Sequence, residues 1–535
     1  MSDIPFIHLF STDTNKYVYD VNSNDIIKVD DIAYDYFHLL LSGFEPDECK
    51  YLLTNEYDSS AITKSIAFIQ EIEKAELYFS KTRPQEIALF CCENSMKYTY
   101  SNYINQLTLE VTQRCNLNCR YCIFSGIYEQ SRPHTKKDMT WKIAKSGLDF
   151  MFQYGGRDPN DSILLRDRFK PKEKSDFTIG FYGGEPLLNF ELIQKCITYC
   201  RQNAPTDKKV GFVITTNGTL LSDDIIEYFI ANNVAITISF DGPQNIHDKF
   251  RIHANGKGTH QEALNAIKRI NYVARKMNLP ETLYCLINCL VLGGFHFREL
   301  FDYFVSLENL LDNEYVHFDL VINTLTGGLK KWNDCYPEEQ LEKPAGYEEL
   351  LEEYKSACLA GKYKNDNNHT FYFDILNIFA YNNLYFDLHA RTRHQFSDEN
   401  EILETSHPGC ICKLGSRRPF LTVDGRILPC ERVFSENPSF YVGRIDTGLD
   451  LNKIKSMLDD FTNSTIEECR DCWCYRICDV GCINDNYEEG VFDARKKMDK
   501  CRQVRARRHS ELVGMMKLLE QDPTVLDHYN EVAVS

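Results

Sequence analysis

Apolar positions along this chain repeat with two periods. Between residues 107 and 323, six short runs rich in β-branched and aromatic side chains (107–112, 177–182, 210–215, 234–240, 283–292 and 316–322) alternate with amphipathic stretches of helical period. Strands that alternate with helices predict parallel pairing through crossover helices, hence an α/β fold. Where such strands close into a barrel, function collects on the loops beyond their C-terminal ends. Upstream, residues 1–85 predict a strand over 5–10, a hairpin over 16–29 turning at Asn22-Ser23-Asn24-Asp25, and three helices. The last helix sets Ile66, Ile69, Ile72 and Ala75 on one face. Three strands with three helices is a winged-helix composition. A linker over 86–106, a charged loop over 157–175, a helical bridging region over 324–405 (helices 345–362 and 371–388), a cysteine-rich domain over 406–510 and a terminal helix over 511–535 complete the expected organisation.

At 535 residues and 43% hydrophobic content the chain can support about three cores. Its net charge of −18 argues against a nucleic-acid partner, which would call for a basic face, but is compatible with a basic peptide. No apolar run reaches the roughly 18 residues of a membrane helix, and no secretory signal opens the chain. Twenty-one cysteines without such a signal read as metal ligands and free thiols in a reducing cytoplasm, not as disulfides.

The first chemistry-bearing stretch is Cys115, Cys119 and Cys122, spaced C-x3-C-x2-C directly after the first barrel run. Three thiolates on one tight loop suit three irons of a cubic four-iron cluster and leave the fourth iron open. A structural zinc knuckle is the alternative, and it would want a fourth ligand that does not follow nearby. With Tyr121 beside the last cysteine, the motif resembles that of the radical S-adenosylmethionine (radical SAM) enzymes. The resemblance implies a partial (β/α)6 barrel and S-adenosyl-L-methionine on the open iron. It further implies cofactor contacts from Tyr121 (against the adenine), Gly183, Gly184 and Glu185 (a G-G-E-P turn, with Glu185 facing the methionine ammonium), Asn217, Ser239 and Arg251. Asp241 is read as a turn or cap residue, a common place for Asp.

The second stretch contains Cys412, Cys430, Cys469, Cys472, Cys478, Cys482 and Cys501. Its spacing resembles the SPASM domain of peptide-modifying radical SAM enzymes. That resemblance implies two auxiliary four-iron clusters, for three in all. Cys412, Cys430 and Cys482 would hold the first, with Cys410 either closing it or leaving an iron open to a substrate thiol. Cys469, Cys472, Cys478 and Cys501 would hold the second. Interleaved zinc ribbons fit the order poorly. Cys474 has no assigned role, and Cys335 and Cys358 are expected to be buried free thiols.

The expectation is therefore a radical SAM maturase of a ribosomally made precursor peptide. The winged-helix-like domain would bind the peptide's leader as an added strand, and a flavodoxin or ferredoxin would supply electrons. The segment 122–128, with Arg132, Pro133 and His134, looks most like maturases of cysteine-rich peptides and favours thioether crosslinks. Carbon–carbon crosslinking, anaerobic sulfatase (formylglycine) maturation and a non-catalytic iron–sulfur scaffold are the alternatives.

Overall fold

The computed structural model describes residues 4–526, apart from 77, 91, 129–130, 158–174, 279–282, 312–313, 325–331, 363–370, 377–404, 409–411 and 489–490. All but the two ends of the charged loop expected over 157–175 and most of the helix expected over 371–388 lie outside the described residues, the latter observed only as Phe371–Leu376.

The N-terminal unit is an antiparallel sheet, β1 (Ile7–Ser11), β2 (Lys16–Asp20) and β3 (Ile26–Val29), followed by helices α1 (Asp31–Leu41), α2 (Pro46–Leu53) and α3 (Ser59–Glu76). Strand alternation sends Val18 to the face that packs on Phe37, Ile66 and Ile69 of the helices. The opposite face presents Phe10, Tyr17 and Tyr19, all within 3% of full burial, to the main core of the molecule. This unit is thus packed on both sides. Glu520 fixes its first turn by accepting from Thr12 Oγ1 (2.6 Å), Asn15 Nδ2 (2.7 Å) and Tyr17 OH (2.7 Å).

The stretch expected as a bare linker is structured. It contains β4 (Glu86–Ile87) and the helix Glu93–Asn102, whose Tyr100 is buried and donates to Leu414 O at 2.7 Å. Apolar Ile87, Met96 and Tyr100 recur there at spacings too irregular to announce a helix, yet all three reach the core.

Six parallel strands follow in chain order: β5 (Gln106–Thr112), β6 (Phe177–Gly183), β7 (Val210–Thr216), β8 (Val234–Ser239), β9 (Leu283–Val291) and β10 (Val316–Thr324). Crossover helices begin at capped positions, as where Thr140 and Ser222 accept from Ile143 N and Ile225 N. Along β9 every second residue is buried, so one face meets the helices and the other lines the barrel interior. The sheet does not stop at β5. After β11 (Thr405–Ser406), which pairs with β4, strand β12 (Phe420–Leu421) lies parallel to β5, and β13 (Arg426–Leu428), β14 (Gly443–Arg444) and β15 (Gly448–Leu449) continue antiparallel. The C-terminal segment therefore covers an edge that the six strands alone would leave open. The fold is mixed α/β, a six-stranded partial barrel extended through this shared sheet.

The terminal helix is longer than expected, running unbroken over Ala494–Leu519 and carrying Cys501 in its second turn. No helix among the described residues is long and apolar enough to cross a membrane.

Candidate active site

The loop after β5 brings Cys115, Cys119 and Cys122 to the C-terminal end of the parallel strands. It is pinned from the far side of the barrel: Asn118 N donates to Ile252 O (2.7 Å) and Arg120 N to Phe250 O (2.9 Å). Leu117 N points at Cys115 Sγ and Phe124 N at Cys122 Sγ, each at 3.4 Å. Burial pushes the Cys115 and Cys119 thiols up to about 12 and raises Cys122 as well, while the Arg251 guanidinium opposes the shift at Cys119. Thiolates in such a place need positive charge to sustain them, and backbone N–H groups already face two of the sulfurs. This donor set fits an iron cluster.

Gly183 and Gly184 let the end of β6 lie against this loop. A Cβ on Gly183, whose φ is +136°, would meet Thr112 O at 2.1 Å, and one on Gly184 would meet Arg114 O at 2.1 Å and Cys115 Cβ at 3.1 Å. Only glycine permits that approach. Glu185, 1% exposed, ties β6 to β7: its Oε1 accepts from Leu187 N (3.1 Å) and Thr216 Oγ1 (2.7 Å), and its Oε2 from Asn217 N (2.8 Å). Burial raises its pKa to about 7 despite these bonds. A carboxylate accepts about four bonds, so room for a further donor remains. The Asn217 amide donates to Asn116 Oδ1 (3.0 Å), linking β7 to the cysteine loop. Ser239 stands half-buried at the end of β8.

Asp241 is not a turn or cap residue but the hub of a buried network. Fully buried, it accepts from Tyr121 OH (2.5 Å), Arg251 Nε (2.8 Å) and Leu290 N (2.9 Å). His247 Nδ1 accepts from Asp241 N at 3.1 Å, which leaves Nε2–H to donate to Thr259 Oγ1 (3.1 Å). The Arg251 guanidinium lies 5.4 Å from the Tyr121 ring centre. Tyr121 is thus held by its hydroxyl, with its ring 6% exposed against Phe250, Leu292 and Trp332.

Two further groups escaped the sequence reading. Arg120 makes a bidentate pair with Glu339 (2.7 and 2.9 Å) and stacks over Trp332 and Tyr336 (4.7 and 4.8 Å), so the segment around 332–341 covers the cysteine loop. Cys335 in this segment is exposed, contrary to expectation, because Trp332 and Leu341 take the inward positions; Cys358 is buried as expected. Glu431, next to Cys430, pairs with Arg418 at 2.5 Å, and its buried Oε2 has no hydrogen-bond partner among the described residues. Burial raises the Tyr182 hydroxyl, and Glu431 and the Cys122 thiol act in the same sense.

In the C-terminal region, Cys469, Cys472, Cys474, Cys478 and Cys501 line one small pocket. Val480 N faces Cys478 Sγ at 3.4 Å, and burial raises the Cys472 thiol and lifts Cys501 to about 11. Cys412 N donates to Gly481 O (3.1 Å), next to the exposed Cys482, and the Cys412 thiol lies in electrostatic range of Cys430. Cys410 lies outside the described residues. Among the described residues no three Cys, His, Asp or Glu side chains converge where a single ion would sit.

Residues 109–303, which include most of the barrel strands, match the family model of the radical SAM superfamily. An uncharacterised protein of Methanocaldococcus jannaschii is 33% identical over 177 residues, 33% of this chain and 51% of that one. A cysteine-type anaerobic sulfatase-maturating enzyme of Clostridium novyi is 26% identical over 177 residues, 33% of this chain and 42% of that one. The radical SAM cyclopropyl synthase TigE of Paramaledivibacter caminithermalis is 28% identical over 148 residues, 27% of this chain and 28% of that one. The chain thus spans about half or less of the length of these relatives.

Proposed function

We propose that this chain is a radical SAM maturase acting on a ribosomally made precursor peptide, with thioether formation as the favoured chemistry. The observation that carries the reading is the seating of the Gly183-Gly184 backbone against Cys115, beside a cysteine loop that Arg120 and Asn118 fix at the strand ends. S-adenosyl-L-methionine bound at a cluster on Cys115, Cys119 and Cys122 would supply a 5′-deoxyadenosyl radical. The protein's own residues would bind and orient. Glu185 would offer its remaining lone pair to the methionine ammonium, with Asn217, Ser239 and Arg251 as the further cofactor contacts we propose. Tyr121, locked through Asp241 and packed among Phe250, Leu292 and Trp332, would meet the adenine only at its small exposed edge. The segment around 332–341 would shield one side of the loop through Arg120. Glu431, held on one oxygen by Arg418, leaves its other buried oxygen without a hydrogen-bond partner among the described residues.

Several features support a peptide substrate. Cys469, Cys472, Cys478 and Cys501 line one pocket, and Cys412, Cys430 and Cys482 would be the ligands of a second auxiliary cluster. The sheet β1–β3 keeps β3 as an edge where a leader segment could add. Anaerobic sulfatase maturation is an equal competitor, favoured by the likeness to a sulfatase-maturating enzyme, and carbon–carbon crosslinking follows it.

The test is anaerobic reconstitution with dithionite, S-adenosyl-L-methionine and either a cysteine-containing candidate precursor peptide or a sulfatase peptide. A thioether maturase releases 5′-deoxyadenosine and removes two hydrogens from the candidate precursor per crosslink. Formylglycine in the sulfatase peptide alone would shift the assignment to sulfatase maturation. Cofactor cleavage that survives replacement of Cys115, Cys119 and Cys122 by Ala would refute the catalytic reading.

A further inference from the structure

We infer that a cationic stripe, Lys497 with Arg505, raises the reduction potential of the cluster held by Cys469, Cys472, Cys478 and Cys501; this rests on the proposal above that the pocket holds one. Lys497, Cys501 and Arg505 follow one another at four-residue steps in the helix Ala494–Leu519 and so share one face. Lys497 is 3% exposed. Its Nζ donates to Phe461 O and lies over the Phe461 ring at 3.9 Å, with the Phe492 ring at 6.0 Å. Among the described residues it forms no ion pair; the groups that favour its charge are the thiols of Cys469, Cys501 and Cys478 ahead of Glu468, and the buried His407 imidazole, which its charge helps to keep neutral, lies in the same field.

A buried ammonium whose nearest neighbours are a carbonyl and two aromatic rings is costly unless negative charge comes close. Burial accordingly lowers its pKa, while the three thiols act in the opposite sense. A cubic cluster on four thiolates supplies that negative charge, and gains one more on reduction. The ammonium therefore stabilises the reduced form more than the oxidised form, and the centre becomes a better electron acceptor. Arg505 adds to this from the next turn, its Nη1 4.0 Å from Cys472 Sγ. Half-exposed, it is partly screened by water, so its share is smaller.

The experiment is an EPR-monitored redox titration of the full chain, anaerobically reconstituted, with Ala at 115, 119 and 122 so that the first cluster gives no signal. Cys501→Ala in this background identifies the pocket's own signal; if it changes neither iron content nor spectrum, the pocket holds no cluster and the reading beneath the inference fails. With the cluster present, Lys497→Met is expected to lower the ratio of reduced to oxidised cluster at a fixed poise about tenfold, equivalent to about 59 mV for one electron. Lys497→Arg should keep the wild-type midpoint, and Arg505→Gln should shift it in the same direction by less. An unchanged midpoint in Lys497→Met at full iron content overturns the inference, as does an equal shift in Lys497→Arg. Should Lys497→Met fail to retain the cluster, Arg505→Gln decides: a downward shift supports the stripe and none overturns it.

Discussion

Arg132 and Glu110 form an ion pair with both side chains at most 6% exposed, the guanidinium Nε lying 2.6 Å from Glu110 Oε1. The other oxygen of Glu110 accepts from Gln113 Nε2 (3.2 Å) and Val423 N (2.9 Å), and Arg132 N donates to Ser435 Oγ (3.2 Å). The pair joins β5, the chain leaving the cysteine loop and the C-terminal sheet extension at one point. Arg132 also covers the Phe124 ring at 3.8 Å. Removing one partner leaves a buried charge unmet, so Glu110→Gln is expected to cost about 3–5 kcal/mol. Glu110→Leu with Arg132→Met should recover much of that loss. Chemical denaturation of the two variants checks the ordering, and equal losses would show that the pair is not the joint described.

Gly184→Ala tests how closely β6 must approach the cysteine loop. The new Cβ would overlap Arg114 O, a backbone atom that can yield only by moving Cys115. Displacement of about an ångström at a reacting centre costs on the order of 10²-fold in rate. Deoxyadenosine formation is expected to fall by about that factor while iron at the C-terminal cysteines stays unchanged. Wild-type cleavage by this variant would mean that the close approach has no functional purpose.

Elements whose signal is local were legible in the sequence. The six barrel strands announce themselves by short apolar runs, and the cysteine spacings need no partner to be noticed. Asp241 could not be read as a hub, because its donors come from residues 121, 251 and 290. Arg120 and Glu339 are likewise separated by most of the barrel. Strand β12 is two residues long, too short to carry a period, and owes its existence to the open edge of β5. Lys497 sits in a polar run that reads as a solvated helix face, and only the fold turns it inward.

Glu185 gives the site a pH dependence with a defined sign. Burial raises its folded pKa from 4.5 to about 7, so the folded state holds a proton that the unfolded state has released between those values. For this group alone, stability is greatest below about pH 4.5, declines up to about 7 and is level above that. An ammonium ligand favours the ionised form, so S-adenosyl-L-methionine affinity in the reconstituted protein should rise as pH increases through about 7. Glu185→Gln should flatten that rise and weaken binding. A pH-independent affinity in wild type would disconnect Glu185 from the cofactor's amine.

The N-terminal sheet separates two roles that a deletion would confuse. Phe10, Tyr17 and Tyr19 belong to the main core, and the His8 ring stacks on Trp473 at 3.6 Å, beside the pocket cysteines. Removing residues 1–85 should therefore expose this surface and cost iron at the C-terminal pocket, whatever the sheet binds. Strand β3 is the edge away from that contact, paired only to β2. A leader added as a strand would donate to and accept from β3 alone. Hydrogen exchange on the intact chain is expected to show the amides of 26–29 slowing when a candidate precursor peptide with its leader is added, with β1 unchanged. Protection confined to β1, or none at saturating peptide, would leave the unit a packing domain and move recognition to the barrel mouth.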